Sequence, residues 1–182
     1  MIVFPAWYLG NDPSGQIICV SYAQELADKL SRDYRRIMIS DWYRRLFPTR
    51  LSPERQAVSE FETTAQGCRL ATSVGGVLTG RGADMIIIDD PLKPKEALSQ
   101  TQRRAANEWF DHTLYSRLND KQQGAIVLIM HRLHESLPSG VTRGMISSAT
   151  CWRRSPGRSC AFRRSPRTTR GRSWIRSGDQ NS

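Results

Sequence analysis

Two adjacent carboxylates, Asp89 and Asp90, close the apolar run MIIID and stand directly before Pro91. Apolar residues followed by Asp-Asp have the form of a strand that delivers acids to the edge of a sheet, where α/β folds bind ligands. There the first acid can hold Mg²⁺ through its water shell, since Mg²⁺ takes few carboxylates and keeps several waters. The second can orient or deprotonate a water that attacks a phosphoryl group. This is the form of a Walker B strand. The plainer alternative is a chance pattern, in which the acids at a strand end simply face water. The usual companion is a phosphate loop, G-x-x-x-x-G-K-[ST], whose backbone N–H groups cradle phosphate. The sequence has no Gly-Lys dipeptide. Gly75, Gly76, Gly80 and Gly82 do not replace that loop, because they precede a strand and a phosphate loop precedes a helix.

Other residues offer less. Arg81, between Gly80 and Gly82, has room to reach a phosphate or to serve a neighbouring subunit as an arginine finger; the plainer alternative is an exposed loop arginine or a pair with Asp84. A metal-dependent nuclease would need Asp84 beside Asp89 and Asp90, yet a strand separates them. His131 and His134 are spaced i, i+3, which on a strand end puts them on opposite faces and argues against a metal pair. None of the four cysteines, Cys19, Cys68, Cys151 and Cys160, lies in a C-x-x-C pair, so neither a zinc nor a redox motif is indicated. Cys19 sits in an apolar run as a small core residue.

The elements that must position these groups are legible from periodicity. QIICVSY (16–22), MIIID and GAIVLIM (124–130) are apolar throughout, as strands are when helices cover both sheet faces. Between the first two, Ala23, Leu26, Ala27, Leu30, Tyr34, Ile37 and Met38 recur on one helical face, with Glu25, Asp28, Lys29, Arg32, Asp33, Arg35 and Arg36 opposite. WYRRLFP (42–48) reads as a short helix or turn that buries its aromatics, and FETT (61–64) and RLATSV (69–74) as short strands. Ser99 with Gln102 three residues on is a capping-box signature. It opens a helix that packs Ala106, Trp109, Phe110, Leu114 and Leu118, with Arg103, Arg104 and Arg117 toward solvent. Strands alternating with helices predict an α/β fold with a mostly parallel sheet.

Charge divides the chain. Of 27 Lys+Arg, ten are arginines after position 139, where Asp179 is the single acid; residues 1–139 hold 17 basic and 16 acidic side chains. The net charge of +10 therefore belongs almost wholly to the tail. Residues 138–182 lack helical or strand periodicity and are rich in Arg, Ser, Gly, Pro and Thr. They read either as a disordered arm that binds nucleic acid without sequence preference or, with stray Trp and Cys and no Lys, as the out-of-frame translation of a GC-rich gene. The sequence has no run of apolar residues long enough to span a membrane and no signal-peptide layout, which makes the cytoplasm the expected location.

The series FPAWYLG (4–10), SYAQELA (21–27), WYRRLFP (42–48), VGGVLTGRGADMIIIDDP (74–91), WFDHTLYSRL (109–118) and GAIVLIMHRLHE (124–135) resembles the large terminase subunit of tailed bacteriophages and prophages. The resemblance implies a P-loop NTPase-like three-layer sandwich, an ATPase that packages viral double-stranded DNA into capsids, and a following RNase H-like nuclease domain. It implies Mg²⁺ and ATP as cofactors, with Asp89 as the Mg²⁺-associated acid and Asp90 as the catalytic carboxylate. It also implies a portal, a small terminase subunit and a homo-oligomeric ring as partners, in a bacterial host cell. The segment Met130–His134 matches the one thought to couple hydrolysis to movement, although His131 and Leu133 stand where this branch has Thr and Trp. On this resemblance, residues 1–137 are a partial ATPase domain. Its Walker A loop is expected upstream of Met1 and its nuclease domain is replaced by the arginine-rich tail, as in a degraded prophage gene that is inactive by itself.

Overall fold

The computed structural model describes residues 1–130 and the backbone of 150–153. His131, His134 and the rest of the tail lie outside the described residues. The strands are β1 (Gln16–Ser21), β2 (Leu51–Ala57), β3 (Glu60–Thr63), β4 (Cys68–Ser73), β5 (Met85–Asp89), β6 (Ala125–Ile129) and β7 (Thr150–Arg153). They form one sheet in the order β2-β3-β4-β1-β5-β6-β7. The four central strands, β4, β1, β5 and β6, run parallel, and β2, β3 and β7 add antiparallel margins. The fold is therefore α/β, with a parallel part built from the three strands whose apolar runs predicted it and from β4.

The helices are α1 (Val3–Asn11), α2 (Gln24–Ile39), α3 (Asp41–Leu46) and α4 (Gln100–Trp109). Alternation along the strands sorts the core into two layers. Ile18 and Val20 of β1, Ile86 and Ile88 of β5 and Ile126 and Leu128 of β6 pack with Leu114 and Leu118, beyond α4. Ile17 and Cys19 of β1 and Ile87 of β5 pack with Leu9 of α1, Tyr34 and Met38 of α2 and Tyr43 of α3. Helices thus cover both faces of the central strands. That explains why β1 and β5 are apolar without interruption: Ile86, Ile87 and Ile88 are each no more than 3% exposed. Burying each such side chain contributes about 1.5–3 kcal/mol.

Several sequence-based expectations need correction. Arg103 is buried, its guanidinium donating to the Ala97 carbonyl at 2.6 Å, and Arg117 donates to the Thr113 and Leu78 carbonyls. Both cap nearby carbonyls where solvent exposure was expected; Arg104, paired with Glu108 at 2.8 Å, does face water. In α3, Tyr43 is buried, but Trp42 is 48% exposed, because a six-residue helix with one inward face can bury only one of two adjacent rings. The capping serine is in place, with Ser99 Oγ accepting from the Gln102 N–H at 3.4 Å. After Trp109 that helix widens into a π-helical turn, Phe110–Leu114, and a 3-10 turn, Tyr115–Arg117. Strand β2 was not legible: its Pro53, Glu54 and Arg55 suit an edge strand, where a lost ladder hydrogen bond is tolerated. Strand β7 places four residues of the arginine-rich tail in the sheet, where no strand was expected.

Candidate functional site at the carboxyl edge of the sheet

Successive strands of the parallel core enter the sheet as β1, β4, β5 and β6, yet lie in the order β4-β1-β5-β6. The chain leaves β1 toward one side of the sheet and resumes at β5 on the other. The crevice between the carboxyl ends of β1 and β5 is therefore a topological switch point, the place where open α/β sheets bind ligands. Register puts Ser21 opposite both Ser73 and Asp89, and Asp89 opposite Ile129. Asp89 ends the apolar inner strand β5 at this crevice.

Alternation also fixes which face Asp89 serves. Ile87 packs toward α1 and α2, so Asp89, two residues on, projects to the same side as Ser21 and Cys19. The thiol of Cys19 senses that neighbourhood. Burial pushes its pKa up, the Arg69 guanidinium opposes this, and the carboxylate of Asp89 adds a further push upward. Ser21 is fully buried, and its hydroxyl has no hydrogen-bond partner among the described residues. An unpaired buried hydroxyl costs about 1–3 kcal/mol, so its presence at the switch point calls for an explanation.

Asp90 has φ 44°, one of two non-glycine residues with positive φ among the described residues. Aspartate tolerates this left-handed region better than most side chains. The Asp90 N–H donates to the Ile129 carbonyl at 2.8 Å, which ties the turn to the end of β6. The chain then doubles back through Pro91. Lys93 Nζ sits 5.4 Å from the ring centroid of Tyr22, the residue that follows Ser21, and 3.9 Å from Glu96 Oε1. On the opposite sheet face, beside Ile88, a small apolar hollow is lined by Pro91, Trp109, Phe110, Leu128 and Met130.

The other sequence candidates lie elsewhere. Arg81 makes a two-pronged ion pair with Glu60 of β3, with Nη2–Oε2 at 2.8 Å. Its partner is Glu60, not Asp84, and the structure does not bring it to Asp89 or Asp90. Asp84 is at the amino end of β5, where its carboxylate accepts from the Gln16 N–H at 2.9 Å and from Asn119 Nδ2 at 3.0 Å. A nuclease triad of Asp84, Asp89 and Asp90 is excluded by this separation.

Sequence reading missed Ser21 and Arg69. Nothing marks a serine at a strand end until the register is known. Arg69, in β4, is fully buried: it donates to Ser31 Oγ at 2.8 Å and stacks on the Tyr34 ring at 4.7 Å. The alternation of β4 was its only signal. Tyr34 is pushed well above the ordinary tyrosine value by burial, with Arg69 opposing.

As a Mg²⁺ site, the donor set is spare. Among the described residues no three His, Cys, Asp or Glu side chains are grouped as metal ligands. Two neighbouring acids and a buried hydroxyl fit an ion that keeps its waters and uses few protein oxygens better than they fit one needing a full protein cage. For ATP the fit is partial, because the sequence contains no phosphate loop to grip the nucleotide. Among the described residues no helix is long and apolar enough to cross a membrane. No known protein family matches this chain, and no curated protein matches it.

Proposed function

We propose that the chain carries the acidic half of a Mg²⁺–nucleotide site belonging to a terminase-like, P-loop-type packaging ATPase. One observation carries this reading: the paired acids stand at the carboxyl end of an inner strand of a parallel core, at its switch point, beside a buried hydroxyl with no partner among the described residues. In this reading Asp89 holds the hydrated ion, and Asp90, fixed by its turn and its bond to β6, orients the attacking water. The ion, when bound, would offset charge on the phosphates. Viral double-stranded DNA, a portal, a small subunit and a ring of like subunits would be the partners of the intact machine in the bacterial cytoplasm.

Most of the grip on the β- and γ-phosphates in such ATPases comes from a phosphate loop's amides and lysine. Without one, the chain should bind Mg·ATP only at about millimolar concentration, near 4 kcal/mol, and hydrolyse it no faster than buffer. The test is a ³¹P NMR titration of the purified chain with Mg·ATP. Binding in the millimolar range, weakened several-fold by Asp89→Asn, is expected. Micromolar affinity would contradict the half-site, and binding indifferent to Asp89 would remove the assignment.

A further inference from the structure

We propose that Lys93 is the cation that meets the anionic part of a ligand at this edge: a phosphate of the nucleotide whose Mg²⁺ is held by Asp89. The inference rests on the reading above and deepens it by naming a phosphate-binding residue where the sequence has no phosphate loop.

The path of the chain makes the case. Asp89 and Ser21 are register partners on adjacent strands. The left-handed Asp90 and then Pro91 turn the chain out of β5, and four residues past Asp89 the amine of Lys93 lies over the ring of Tyr22. Tyr22 directly follows Ser21, so Lys93 bridges from the exit of β5 to the exit of β1, across the mouth of the crevice. The segment is braced from behind: the Lys93 N–H donates to Glu96 Oε2 at 3.3 Å, and the Ala97 N–H donates to the Lys93 carbonyl at 2.9 Å. The side chain itself is loosely held. It is 53% exposed, and its contact with Glu96 Oε1 is 3.9 Å, too long for a hydrogen bond.

Its resting contacts are weak. A charge-assisted bond to phosphate is stronger than an exposed cation–π contact. An arriving phosphate therefore outcompetes the Tyr22 ring. The buried hydroxyl of Ser21, without a partner among the described residues, ends β1 next to Tyr22 and is a second sign that polar ligand atoms belong at this edge. Elsewhere, Lys121 rests on the Tyr115 ring at 5.6 Å, and Arg81 is held by Glu60. Neither spans this crevice.

The test uses the full chain and two probes, Mg·ATP and magnesium pyrophosphate, titrated by ³¹P NMR. Lys93→Ala should raise both dissociation constants by about tenfold, in keeping with the loss of one charge-assisted bond. Lys93→Arg should restore most of the affinity. Tyr22→Leu, which removes the resting contact alone, should leave binding unchanged or tighter. If Lys93→Ala lowers the melting temperature, acetylation of the wild-type lysines read by mass spectrometry replaces it. Magnesium pyrophosphate should then shield Lys93 and leave Lys29 and Lys121 reactive. Binding that depends on Asp89 but not on Lys93, or a Lys93 left unshielded, overturns this inference and leaves the acidic half-site standing. Binding that depends on neither residue overturns both.

Discussion

The two ends of the inner strand β5 hold similar residues put to different use. At the amino end, the carboxylate of Asp84 is fully engaged by the Gln16 N–H and by Asn119, and nearby Arg81 is clamped by Glu60. Gly67 is pressed against the Pro13 and Gly15 carbonyls. At the carboxyl end, Ser21 has a buried hydroxyl without a partner, Asp90 sits in the left-handed region, and Lys93 rests on an aromatic ring. Acids and cations occur at both ends. What separates the two ends is the Ser21 hydroxyl, buried with no hydrogen-bond partner among the described residues.

Substitutions at the two ends should therefore separate stability from binding. Gly67→Ala should have the largest effect. A Cβ there would come within 2.2 Å of the Pro13 carbonyl oxygen, so backbone must shift. Over-packing of this kind costs about 1–3 kcal/mol or more, and denaturant unfolding should show it. Asp84→Ala comes next, because it leaves the Gln16 N–H without its acceptor and removes one of the two acceptors of Asn119 Nδ2. Loss of about 1–3 kcal/mol is expected, with Mg·ATP binding by the folded fraction unchanged. If Asp84→Ala instead abolished binding without destabilising the chain, the two ends would have been wrongly assigned.

Ser21→Ala should run the other way. It removes a hydroxyl that the fold leaves unsatisfied, so stability should hold or rise by up to about 1 kcal/mol while affinity for magnesium pyrophosphate falls. A clear loss of stability would mean that Ser21 serves the fold. Smallest is Arg81→Ala, whose partly exposed pair with Glu60 contributes about 0.2–1 kcal/mol, with no effect on binding.

The helical layer beside the site adds a pH dependence. Burial pushes the Tyr43 hydroxyl up to about 12. Above pH 10 the unfolded chain ionises this group first. The stability it contributes is thus intact below about pH 10 and lost as pH rises toward 12. Unfolding midpoints measured from pH 8 to 12 should fall over that window. A flat profile would show that this layer opens readily to water.

Much of the fold was legible because the strands flanking the site are apolar on both faces. QIICV, MIIID and AIVLIM announced the parallel core, and Asp89 and Asp90 marked the carboxyl end of β5. The heptad-like spacing from Ala23 to Met38 likewise announced α2. The rest depended on register and tertiary contact. Ser21 gains meaning only when β5 is placed beside β1, and Arg103 is buried only because the Ala97 carbonyl lies within its reach. Arg81 looked suited to a phosphate because glycines flank it; nothing local revealed Glu60, 21 residues away, as its partner. Lys93 has no local signal in the sequence, since the turn that carries it to Tyr22 begins with the left-handed Asp90.

The central claim is that ligand chemistry belongs to the carboxyl edge alone. Replacing Mg²⁺ by paramagnetic Mn²⁺ in a backbone amide NMR titration with ATP tests it most directly, because broadening reports distance from the ion. The signals of Ser21, Asp89 and Asp90 should vanish first, while those of Asp84 and Arg81 persist. Earliest broadening at Asp84, or uniform loss along β5, would contradict the account.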